Sequence, residues 1–174
     1  MKKAIFRIQK LKSSRSVSGC LKHNFRDIDT PNADMNKLDQ NQVLAGPKTA
    51  TEAMQNYSDN LPEKFRKNAV MAIECLATAS PEFFETADRE TQNQFFADSL
   101  KFIEDKFGKE NIVSTAEHFD ETTPHMHVVV MPVVKKERKW KNKNGSGSKI
   151  SYGLSASDFV DGKETLRKLQ SDFF

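Results

Sequence analysis

Residues 112–133, Ile112-Val-Ser-Thr-Ala-Glu-His118-Phe-Asp-Glu-Thr-Thr-Pro-His125-Met-His127-Val-Val-Val-Met-Pro-Val133, read as strand, turn, strand. Ile112 to His118 forms the first run, Phe119 to Pro124 is a polar turn, and the second run is apolar on both faces beyond its histidines. A strand with no polar face must be covered on both sides, so His125–Val133 is expected at the centre of a sheet.

Just upstream, Phe95, Phe96, Leu100, Phe102, Ile103 and Phe107 recur at helical spacing from Thr91 to Phe107. Gly108 stands where a helix ends in a left-handed residue. Ser80-Pro81 opens another helix, with Ser80 as its cap. Ala69 to Ala77 is apolar enough for a central strand, although its Met, Ala and Leu also permit a helix. Ala4 to Ile8 reads as a first strand, Ser13 to Gly19 as a Ser-rich loop, and residues 27–47 as irregular chain or a lid. Lys48 to Asp59 is weakly helical, residues 135–152 form a basic hairpin, and Lys163 to Ser171 a last helix. The order predicts an α+β fold, one domain over residues 1–174 with a central antiparallel sheet flanked by helices.

Composition narrows the function. The 174 residues are 37% hydrophobic and 29% charged, and the longest apolar run, Val128 to Val134, is interrupted by Pro132. That is far short of the ~20 residues needed to span a bilayer. Cys20 and Cys75 are too few for a disulfide scaffold, and no apolar stretch follows Met1-Lys2-Lys3 to make an export signal; the expected compartment is the cytoplasm. Formal net charge is only +3, yet Lys2, Lys3, Arg7, Lys10, Lys12, Arg15, Lys22 and Arg26 fill residues 1–26 without one acid. Lys135, Lys136, Arg138, Lys139, Lys141, Lys143 and Lys149 face only Glu137 across residues 135–149. Such clusters suit a polyanion or a merely solvated surface. On the polyanion reading, Lys139, Lys141 and Lys143 contact phosphate, and Tyr152 at the end of the hairpin stacks on a base.

Three of the four histidines lie between positions 118 and 127. Residues i and i+2 of a strand share a face, so His125 and His127 project together, and the turn returns His118 beside them. Three imidazoles with Asp120 and Glu121 nearby make a metal site, against the plainer reading of ordinary strand histidines. Nitrogen and oxygen donors without a thiolate suit Mn²⁺, Zn²⁺, Co²⁺ or Ni²⁺ better than Mg²⁺. Three protein ligands leave coordination positions open for substrate.

The fourth histidine stands in Lys22-His23-Asn24-x-Arg26. Together with His118-x-Asp120-Glu121-x-Thr123-Pro124-His125-x-His127, this resembles the MobV (Pre/Mob) family of plasmid relaxases. The opening Ile5-Phe6-Arg7-Ile8-Gln9-Lys10-Leu11-Lys12 is similar to that family's first strand. The resemblance covers the chain as the N-terminal catalytic domain of longer members, and implies the His-hydrophobe-His endonuclease fold. It implies a metal-dependent enzyme of plasmid mobilisation that nicks one strand at a transfer origin, acting on single-stranded and hairpin DNA. Mn²⁺ is the expected ion and Mg²⁺ the alternative. His23 falls on the nucleophile, which would retain the 5′-phosphate as a phosphoramidate. His118, His125 and His127 fall on the metal ligands. Glu121 would orient or deprotonate His23, and Lys22 and Arg26 would contact DNA. Dimerisation, where it occurs in the family, runs through a C-terminal extension.

One departure stands out: an Asn-Tyr pair common in the family is replaced here by Asn41-Gln42. A rolling-circle replication initiator would share the fold and place a tyrosine after the metal strand, but residues 153–174 contain none. Tyr57 reads as a packing residue. A metal-containing DNA-binding autoregulator without enzymatic activity is the remaining alternative.

Overall fold

The computed structural model describes residues 3–142 and 145–173; Lys143, expected on DNA, lies outside them. Four antiparallel strands, β1 (Ala4–Leu11), β2 (Ala72–Ala79), β3 (Ile112–His118) and β4 (His125–Val130), form one sheet in the order β1-β2-β4-β3. The apolar β4 is central, as its composition requires, and β2 beside it is the strand that Ala69–Ala77 left open. The hairpin of β5 (Val133–Asn142) and β6 (Gly145–Leu154) forms a separate two-stranded ribbon.

Alternation along the strands sorts the core into two layers. Phe6, Ile73, Cys75, Ala77, Met126, Val128 and Val130 face α4 (Arg89–Phe107) and α5 (Gly162–Asp172), with Phe96, Ile103, Phe107 and Phe173 packed over them. The rings interlock edge to face: Phe96 meets Phe119 at 5.7 Å and Phe6 meets Phe102 at 5.6 Å between centroids. Each such pair contributes about 0.5–1.5 kcal/mol beyond its buried area. On the other face, Leu11, Ala72, Val113, Val129 and Met131 are covered by α1 (Ser14–Asn24) and α2 (Ala50–Asn60). The short helix α3 (Pro81–Thr86) precedes α4. Pro81 opens it as expected, but Ser80 makes no side-chain cap; its Oγ accepts from the Lys3 N–H instead.

The Ser-rich loop of the sequence reading is in fact a helix. Ser13 Oγ accepts from the Ser16 N–H at 3.1 Å, and Ser16 Oγ accepts from the Ser13 N–H at 3.1 Å, a capping box with Ser in place of the usual Glu. Val17 and Leu21, four residues apart, are fully buried and fix the face that follows. Serine competes with helical hydrogen bonding in a helix interior but supports it at a terminus. His23 therefore rides on the last turn of a packed helix and not on a mobile loop.

Glu117, on the α4 side of β3, is an anomaly. It is buried, and neither carboxylate oxygen has a hydrogen-bond partner among the described residues. Burial pushes its carboxyl up to about 7, opposed by the Arg89 charge. A folded-state value above the unfolded one means that the native protein holds the extra proton, so stability falls as pH rises from about 4.5 to 7 and is level above. Glu117→Gln is expected to stabilise the protein at pH 8 by about 2 kcal/mol and to change little at pH 4.5, read by urea unfolding. Equal effects at both pH values would refute this.

Candidate active site

The β3–β4 register sets His118 directly opposite His125, and the β2–β4 register sets His127 opposite Leu76 and His125 opposite Thr78. All three rings project from the sheet face that α1 only partly covers. Their centroids lie 4.9 to 5.1 Å apart, so the sequence-predicted triplet does assemble.

Each ring is held from behind. His118 Nε2 donates to the Asn24 carbonyl (2.8 Å), His125 Nδ1 to the Thr123 carbonyl (2.9 Å) and His127 Nδ1 to Glu74 Oε1 (2.8 Å). Because each of these partners can only accept, the proton of a neutral ring lies on the outer nitrogen. The inner nitrogens, His118 Nδ1, His125 Nε2 and His127 Nε2, then carry lone pairs. His118 Nδ1 and His125 Nε2 face one another at 3.3 Å, and His127 Nε2 is buried without a partner among the described residues. Burial and the nearby His127 pull His118 down to about 3, and burial also lowers His125. Two bare nitrogens at that separation repel unless a cation sits between them, so the donor set fits a divalent metal.

His23, half-buried at the end of α1, reaches the same cluster, with its centroid 6.0 Å from that of His118 and 5.8 Å from that of His127. Burial, then His127 and Arg26, depress its pKa; Glu121 and Glu74 oppose them. Ligand-capable atoms of His23, His118 and His127 lie within 4.8 Å of one another, as do those of His118, Glu121 and His125. His118 thus belongs to two overlapping groups.

Arg26 explains how the helix end is held. The Asp27 N–H donates to the Lys22 carbonyl and the Arg26 N–H to that of His23, a Schellman motif whose left-handed position, usually glycine, is Arg26 at φ 59°. This uncommon backbone is held by the side chain. Arg26 Nε and Nη2 donate to the two oxygens of Asp120 (2.8 and 2.7 Å), and Nη2 also donates to Glu121 Oε1 (2.7 Å). Removing one partner of a buried ionic network of this kind costs about 3–5 kcal/mol. Arg26, expected to contact phosphate, is thus committed to carboxylates. Glu121 is engaged by Arg26 and lies 3.9 Å from His125 Nε2; among the described residues no hydrogen bond joins it to His23.

Two residues escaped the sequence reading. Glu74, which orients His127, is also held by the Cys20 thiol (3.1 Å) and Asn24 Nδ2 (3.4 Å), and these bonds outweigh burial to keep its carboxyl near 2. Its signal was a lone acid in an apolar strand. Asn41 donates to Asp120 Oδ2 (2.8 Å) and accepts from the Phe119 N–H (2.8 Å), binding the 27–47 loop to the turn between the metal strands. Tyr57 is buried in the core and Tyr152 is exposed on the hairpin opposite Lys135. Lys22, Lys139 and Lys141 are all exposed, and Lys139 lies 3.8 Å from Glu137.

The sequence profile of the plasmid recombination enzymes (Mob_Pre) matches residues 1–174. The chain belongs to this family. It is 35% identical over 176 residues to a plasmid recombination enzyme of Bacillus thuringiensis, covering 98% of this chain and 36% of that protein. It is 28% identical over 183 residues to a type 3 plasmid recombination enzyme of Staphylococcus aureus, of which it covers 40%. The chain therefore spans well under half the length of these relatives. Among solved structures it resembles the MobM relaxase domain bound to plasmid pMV158 oriT DNA with Mn bound, with a TM-score of 0.73, 26% identity, and coverage of 98% of this chain and 86% of that one. The predicted α+β relaxase fold is thereby established for this member of the family. Among its described residues no helix is long and apolar enough to cross a membrane.

Proposed function

We propose that this chain is the nicking domain of a plasmid mobilisation relaxase, cutting one DNA strand at a transfer origin by transesterification with His23 as nucleophile. The observation that carries the reading is the convergence of a half-buried, pKa-depressed His23 on three histidines whose inner nitrogens are bare. A neutral imidazole presents a lone pair, which a nucleophile needs and an imidazolium lacks. A ring nitrogen of His23 forms the bond to phosphorus, the P–O3′ bond breaks, and the 3′-oxygen leaves as a hydroxyl after taking a proton. The second ring nitrogen sheds its proton toward Glu121 or Glu74, whose charges both act on His23. His118, His125 and His127 would hold a divalent ion, Mn²⁺ in keeping with the Mn-bound relaxase domain it resembles, with Mg²⁺ as the alternative. When bound, that ion supplies Lewis-acid polarisation of the scissile phosphate. Because the DNA bond is exchanged and not hydrolysed, the strand can be rejoined.

No tyrosine lines either cleft beside His23, which disfavours the replication-initiator chemistry. Incubation with Mn²⁺ and single-stranded transfer-origin DNA, followed by a denaturing gel, tests the reading: a covalent adduct is expected, and none would leave only a DNA-binding protein.

The hairpin fits the double-stranded arm of such an origin. Its antiparallel register sets Lys136, Arg138 and Lys149 on one face with Trp140, and Lys135, Lys139 and Lys141 on the other with Tyr152 and Ile150. Trp140 lies over Gly147, where a Cβ would come within 2.7 Å of the indole; only glycine permits that stacking. Neutralising Lys139, Lys141 and Lys143 is expected to flatten the salt dependence of DNA binding by about 0.7–0.9 log–log units for every phosphate no longer neutralised. Lys139 should contribute least because Glu137 already stands beside it. An unchanged slope would make the hairpin a solvated ribbon.

A further inference from the structure

We propose that Arg7 is the phosphate-binding residue of the cleft leading to His23, holding the DNA strand on the β1 side of the scissile bond. The proposal rests on the nicking reading above. Two clefts, of about 600 and 310 Å³, flank His23 and share His23, Leu76 and His127. A strand laid along them is a chain of anions, yet their lining carries two carboxylates, Glu74 and Glu121. Besides the histidines, Arg7 is the one cationic side chain in that lining. Arg26 lines neither cleft and is committed to Asp120 and Glu121.

The register gives the placement. Arg7 pairs with Leu76, and Leu76 with His127, so the three side chains share one face in a single row across β1, β2 and β4. At the usual strand spacing, Arg7 and His127 lie about 10 Å apart along the backbone. β1 is the edge strand, and the row therefore leaves the sheet at Arg7. Chain entering from that edge passes Arg7 and then Leu76 before it reaches His127 and His23.

Arg7 is exposed and makes no ion pair or hydrogen bond among the described residues, so its planar fork of donors is free for a bidentate grip on phosphate. Lys10 makes the contrast. It points to the opposite face, where its Nζ donates to the Val160 carbonyl, so of these two β1 cations only Arg7 serves the cleft.

The test compares wild type, Arg7→Gln and Arg7→Lys for binding of fluorescein-labelled single-stranded transfer-origin DNA by anisotropy over a salt series. The same DNA is also used with single phosphates replaced by neutral methylphosphonates. Arg7→Gln is expected to weaken binding about tenfold and to lower the salt slope by about 0.7. Arg7→Lys should keep the slope and lose part of the affinity. One methylphosphonate near the scissile position should weaken wild type and leave Arg7→Gln indifferent, a coupling that a merely structural residue would not produce. An unchanged slope and phosphate profile in Arg7→Gln would overturn the proposal. An adduct formed by wild type alongside that outcome sinks Arg7 alone. A slope change in a protein that forms no adduct sinks the nicking reading alone.

Discussion

His23→Ala is expected to yield no covalent protein–DNA adduct, while wild type with Mn²⁺ retains the segment 3′ of the cut, bound through its 5′-phosphate, on a denaturing gel. The wild-type adduct should survive detergent and base but release its DNA in mild acid. A phosphoramidate nitrogen is protonated in acid and becomes a good leaving group; a phosphotyrosine ester is stable under the same treatment. The geometry makes the loss complete and not graded. His23 ends α1 in a helix terminus held by the Schellman bonds and by Arg26, and the one thiol lining the clefts belongs to Cys20. Cys20 is disarmed, since burial first and Glu74 second push its thiol far above the range where a thiolate forms. Burial and neighbouring positive charge keep His23 neutral well below pH 7, so lack of the lone pair does not limit the reaction near neutrality. An acid-stable adduct mapping to Tyr57 or Tyr152 would remove His23 from the role. Tyr57 would have to leave the core to reach DNA.

What could be read in the sequence follows from how local the determining physics is. Strand alternation and the six-residue turn were enough to bring His118, His125 and His127 together, because register alone sets His118 against His125. The helical spacing of six apolar residues located α4 for the same reason. Glu74 was not legible as a site residue. Its role depends on β2 lying beside β4, a pairing across more than fifty residues that no local pattern announces. Asn41 was hidden likewise, since only the folded loop brings it to Asp120. The Ser13–Gly19 error has a different origin. Serine and glycine favour loops on average, and the two side-chain bonds that turn Ser13 and Ser16 into a cap override that average. Arg26 was assigned to phosphate by its charge, but the two acids that claim it stand 94 and 95 residues further along the chain.

Mn²⁺ binding should separate the two overlapping histidine groups. Wild type is expected to take up one ion, and saturation at about a hundredfold over Kd should stabilise it by about 2.7 kcal/mol. For a chain of this size that raises Tm by roughly 5–10 °C. His127→Ala should lose both the binding and the Tm rise. Its fold should survive, because Cys20 and Asn24 still donate to the Glu74 carboxylate left behind. Glu74→Gln should weaken binding about 10–100-fold, since an amide can hold the His127 ring in either tautomer where a carboxylate accepts only from Nδ1–H. His23→Ala decides the assignment. If His118, His125 and His127 hold the ion, this variant binds Mn²⁺ as tightly as wild type while forming no adduct. If the ligands are instead His23, His118 and His127, it loses both together, and an imidazole bound to metal through its lone pair cannot also attack phosphorus. Isothermal titration of these variants with Mn²⁺ alone, without DNA, reads the difference directly. The expected order of affinity is wild type equal to His23→Ala, then Glu74→Gln, with no uptake by His127→Ala.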